Sequence, residues 1–142
     1  MNLYLDTSAL VIGEPGTATC RSLWARADLV LSCAITRAES AAAFARAARH
    51  GRLTTGQHAS ALRSLAGIWG RVAAVPADGP RLDGATAHAT RHALCGYGAV
   101  HCASAVSVAD DDLDVLDQRG AAAEVQHHGR ARERPRPHHE VA

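Results

Sequence analysis

An α/β fold with a mainly parallel sheet is what this 142-residue sequence predicts. Two observations carry the expectation. Short apolar runs recur down the chain, and alanine-rich stretches long enough for helices lie between them. Strands alternating with helices place crossover connections between parallel neighbours. The length suits one compact domain, and 47% hydrophobic with 20% charged residues is globular in type.

The first strand is expected within residues 2–5, where Leu3-Tyr4-Leu5 stops at Asp6-Thr7-Ser8. Leu29-Val30-Leu31 is the second, Val72-Ala73-Ala74-Val75 closed by Pro76 the third, and Leu113 to Leu116 the fourth. Helices are expected over roughly 16–27, 36–49, 55–68, 80–94 and 99–109. Thr36-Arg37-Ala38-Glu39 has the spacing of a capping box, in which both side chains satisfy backbone N–H groups. Pro80 suits a first helical turn, where its missing N–H costs nothing. Gly96-Tyr97-Gly98 reads as a turn between two helices. No internal repeat occurs.

Composition narrows the function classes. No apolar run approaches the roughly 18 residues of a membrane span, so no membrane partner is expected. Met1-Asn2-Leu3-Tyr4-Leu5-Asp6 lacks a basic flank and a long apolar core, unlike a secretory signal. Cys20, Cys33, Cys95 and Cys102 form no C-x-x-C pair, which fits reduced thiols in a cytoplasm. All 15 basic residues are arginines and roughly a fifth of the chain is alanine. That bias suggests a GC-rich genome, so arginine content by itself does not signal a partner.

The organisation expected is one domain over 1–126 and an Arg/Pro/His-rich tail over 127–142. The tail has no apolar period to offset its ordering entropy and is expected to be disordered. Its basic and histidine content suits RNA phosphates or metal, and it also looks like the frameshifted end of a GC-rich gene.

Asp6 is the leading candidate for chemistry, since it ends the first strand at the edge where α/β sheets hold ligands. It also suits a helix N-cap. Glu39 is explained locally by the capping box. Asp117 follows the fourth strand at the same edge as Asp6, whereas Asp110 to Asp112 suit a solvated turn. Carboxylates gathered there repel one another unless a hard cation such as Mg²⁺ or Mn²⁺ is present. His88, His92, Cys95, His101 and Cys102 are close in sequence, but match no familiar zinc spacing and suit ordinary helix residues. Ser8, Ser40 and Ser104 lack a G-x-S-x-G context. No nucleotide-binding glycine loop is present.

Leu3-Tyr4-Leu5-Asp6-Thr7-Ser8-Ala9-Leu10-Val11 resembles the opening of PIN-domain proteins, above all the VapC-type ribonuclease toxins of toxin–antitoxin pairs. Thr36-Arg37-Ala38-Glu39 resembles their second acidic motif, and Gly96-Tyr97-Gly98-Ala99-Val100-His101-Cys102-Ala103-Ser104-Ala105 their third. The likeness runs in order from residue 2 to about 120. It implies a PIN-like three-layer α/β/α fold with a sheet of four to five strands. It also implies a Mg²⁺- or Mn²⁺-dependent endoribonuclease that acts on RNA, paired with a VapB-type antitoxin and capable of forming a homodimer. Asp6 and Glu39 match the first two metal-binding acids, and Asp117 stands near the fourth with Asp114 as its competitor. Gly98 stands where the third acid is expected.

That glycine implies impaired catalysis, or a PIN domain that binds antitoxin or RNA without turnover. Arg37, Arg46 and Arg49 suit RNA phosphates, the antitoxin or solvent. A haloacid-dehalogenase-like phosphatase with Asp6 as nucleophile wants a second acid at position 8, where this chain has Ser8.

Overall fold

The computed structural model describes residues 1–10 and 17–116. Its elements are β1 (Asn2–Leu5), α1 (Thr7–Leu10), α2 (Thr17–Arg26), β2 (Leu29–Cys33), α3 (Thr36–Arg49) and α4 (Thr55–Trp69), then β3 (Ala73–Val75), α5 (Gly79–His92), α6 (Gly96–Ser107) and β4 (Leu113–Leu116). The strands form one sheet in the order β3-β2-β1-β4, every pair parallel. The tail over 127–142 and any fifth strand within it lie outside the described residues.

β1 occupies an interior position, and its alternation divides the core. Leu3 and Leu5, with Val30 of β2, point to one face, where Ala9, Cys20, Leu23 and Trp24 of α1 and α2 cover them. Tyr4, with Leu31 and Val115 beside it in register, points to the other face under Cys102, Ala105 and Val106 of α6. Ala85, Ala99 and Ala103 then pack α5 on α6. Such small side chains let the two helices approach closely. The result is the three-layer α/β/α arrangement expected from the alternation.

Strand and helix positions follow the sequence closely, and two local expectations do not. Thr36 is not a cap: Ile35 precedes α3 without a side-chain cap bond, and Thr36 is fully buried inside the helix. Its hydroxyl lies 2.7 Å from Ser32 Oγ, and Ser32 in turn donates to the Leu5 carbonyl at 2.6 Å. The capping box is found instead at α4, where Thr54 and Gln57 cap each other's backbone N–H. Gly96-Tyr97-Gly98 is not a turn but the first turn of α6, and the chain reverses before it at Ala93, whose φ is 50°. A left-handed alanine costs about 1 kcal/mol, so packing of α5 on α6 overrides the local preference there. Pro80 stands in the first turn of α5 as expected, behind an Asp78 cap that accepts from the Arg81 N–H at 3.3 Å.

Tyr4 is 1% exposed, and burial pushes its phenol well above the ordinary tyrosine range. The folded chain therefore keeps that proton at a pH where the unfolded chain loses it, and stability falls as pH rises above about 10. Denaturant titrations across that range show this loss, and Tyr4→Phe flattens the alkaline slope. Thr54→Ala removes one cap and lowers stability by about 1 kcal/mol, measured by the same titrations at neutral pH.

Candidate active site

The carboxyl end of β1 delivers Asp6 to the sheet edge, where α1 begins at once. Asp6 Oδ1 accepts the Ser8 N–H at 2.7 Å, the Ala9 N–H at 3.3 Å and the Ser8 hydroxyl. These bonds are those of a helix cap, so the residue does the local work expected of it and has its carboxylate oriented at the same time.

Glu39 is placed by tertiary contacts. Its backbone N–H makes the ordinary helical bond to the Ile35 carbonyl, and its side chain leaves the end of α3. Oε2 accepts the Thr7 hydroxyl and lies 2.8 Å from His101 Nε2, with the carboxylate 19% exposed. Thr7 Oγ1 is also 3.2 Å from His101 Nε2. On the other side of the imidazole, Nδ1 lies 3.3 Å from the Tyr4 hydroxyl, and the two rings meet edge to face at 6.3 Å between centroids. Four elements therefore converge: β1 through Tyr4, α1 through Thr7, α3 through Glu39 and α6 through His101.

Asp6 and Glu39, the first two expected acids, are thus brought to one edge, linked through Thr7. Asp117 lies outside the described residues. Its competitor Asp114 is exposed in mid-strand opposite Leu3, short of the edge from which Asp6 emerges. Gly98 lies in the first turn of α6, three residues before His101 and hence on the same side of the helix. The position expected to carry a third acid therefore shares a side of α6 with His101 and carries no carboxylate.

Sequence reasoning read Tyr4 and Thr7 within the first strand and its end, and His101 as an ordinary helix residue, and gave none of them a role beside Glu39. A spacing signal was present for His101, one turn after the expected acid, but ordinary core histidines share it. The zinc grouping does not assemble: His88 and His92 stack at 6.0 Å on α5, His101 faces Glu39, and no group of three or more ligand residues occurs among the described residues.

Two carboxylates at one edge match the chemistry of Mg²⁺, which is commonly held by one or two carboxylates with water and substrate phosphate completing its shell. Both donors to Glu39 fall on Oε2. That leaves its second oxygen for a hard cation.

Residues 3–118 match the PIN domain family. The chain is 36% identical over 116 residues to "Ribonuclease VapC45" of Mycobacterium tuberculosis (strain CDC 1551 / Oshkosh), covering 80% of this chain and 81% of that protein. Identity and coverage are the same for "Ribonuclease VapC49" of M. tuberculosis (strain ATCC 25618 / H37Rv). No helix among the described residues is long and apolar enough to cross a membrane. With a PIN-domain match over most of its length and 36% identity to VapC ribonucleases across 80% of its residues, the chain belongs to the VapC-type PIN-domain family.

Proposed function

We propose that this protein is a divalent-metal-dependent endoribonuclease toxin, held by a VapB-type antitoxin, whose catalysis is weakened by Gly98. The observation that carries the reading is the withdrawal of Glu39 from helix capping into a site shared with Asp6. In it, Asp6 and Glu39 would hold Mg²⁺ or Mn²⁺, with Asp117 as the further acid that the sequence offers. When bound, the ion acts as a Lewis acid toward the phosphodiester and acidifies a water. Ser8 and Ala9 keep Asp6 oriented, Thr7 keeps Glu39 oriented, and the reaction is in-line hydrolysis of an RNA phosphodiester. These groups carry no base-reading element, so RNA choice rests on other surfaces. Arg37, Arg46 and Arg49 are exposed on α3, suited to phosphates or to the antitoxin.

Gly98 favours a second reading, a PIN domain that binds antitoxin or RNA without turnover. Removal of one acid that positions the ion lowers the rate by about a hundredfold or more. Restoring the acid is structurally feasible. A Cβ at Gly98 would lie 3.3 Å from Cys95 Sγ, and Cys95 is exposed and free to turn aside. An acid in the first turn of α6 also suits the helix dipole.

The test is cleavage of a labelled structured RNA with Mg²⁺ or Mn²⁺. Gly98→Asp is expected to cut about a hundredfold faster than the natural chain. Asp6→Asn, which keeps an oxygen for the α1 cap, is expected to abolish cutting in either background. A silent natural chain beside an active Gly98→Asp variant establishes the binding-only reading. Metal-dependent cutting that survives Asp6→Asn refutes the site.

A further inference from the structure

We propose that His101 is a positioning residue of this site: held between the Tyr4 hydroxyl and Glu39, it fixes which Glu39 oxygen is turned toward the cation. The inference rests on the metal-binding role given to Glu39 above, and it starts from a pattern of donors.

Tyr4 lies in the interior of the sheet, nearly out of solvent, with its hydroxyl 3.3 Å from His101 Nδ1. A carboxylate oxygen only accepts, so the ring nitrogen beside Glu39 carries the N–H, and Nδ1 is left to accept from the phenol. Nε2 is the atom 2.8 Å from Glu39 Oε2. The Thr7 hydroxyl donates to the same oxygen. Two donors on Oε2 fix the rotation of the carboxylate and direct Oε1 away from them. His101 is 7% exposed, so water does not readily replace its N–H.

The same ring makes the position of α6 matter to α3. Gly98 lies one turn earlier on the His101 side of α6, so the helix that should supply an acid supplies orientation instead. Groups that orient metal-binding carboxylates typically affect metal affinity by about tenfold to a hundredfold.

Two measurements on the full chain test this. Long-range ¹H–¹⁵N spectra of histidine-labelled protein report the tautomer, with the His101 signals identified by their absence in His101→Gln. The Nε2–H tautomer is expected; an Nδ1–H tautomer in the natural chain overturns the proposal. Mn²⁺ titration by electron paramagnetic resonance, in the Gly98→Asp background, follows metal affinity independently of RNA cleavage. His101→Leu is expected to weaken Mn²⁺ by about tenfold to a hundredfold, whereas His101→Gln, whose side-chain amide places a donor near the Nε2 position, restores most of it. Equal weakening by both substitutions at an unchanged melting temperature shows a merely structural histidine and overturns the proposal. Failure of the Gly98→Asp parent to take up Mn²⁺ overturns the metal-binding reading itself, and the tautomer pattern then stands or falls on the spectra alone.

Discussion

β1 has a parallel neighbour on each side and an apolar layer on each face, and that confinement organises the molecule. A parallel strand cannot connect to its neighbour by a tight turn, so each crossover must carry helices that cover the sheet. Leu3 and Leu5 hold one cover and Tyr4 the other. The strand order turns back beside β1, with β2 on one side and β4 on the other, and open α/β sheets bind ligands at the carboxyl ends of strands at such a switch. Asp6 and Thr7 emerge there because the strand ends there.

Glu39 shows how such a frame overrules a local motif. A capping box contributes about 1 kcal/mol, and hydrogen bonds to a charged group contribute about 1.5–3 kcal/mol each. With Thr7 and His101 both in reach, the tertiary partners win. Thr36 is removed from capping by a separate cause, since its hydroxyl is buried beside Ser32 of β2. The same four-residue motif therefore resembles a helix start in isolation and serves as an anchor and a site residue in the folded chain.

Gly98 gives the site its particular character. The helix that brings His101 to Glu39 brings a residue without a side chain to the neighbouring position. Orientation of the remaining acid is preserved while one carboxylate is absent. On the proposed reading, the arrangement would still hold a cation but would steady less of the charge that develops on a phosphoryl group.

The alternation of apolar runs and alanine-rich stretches was enough to place four strands and the helices between them, because period and length are local properties. Asp6 was legible for the same reason, as the polar residue ending the first buried run, and so was Glu39, through its resemblance to a family motif. The bonds of Glu39 to Thr7 and His101 were not, since the three residues lie far apart in the chain and meet only after the sheet has paired. Nor was the start of α6 at Gly96: two glycines and a tyrosine favour a turn locally, and only packing against α5 draws them into a helix. Residues and their spacing settled the fold class and the candidate acids. Which oxygen of Glu39 accepts which donor depends on four elements meeting at one edge, and long-range contacts alone decide that.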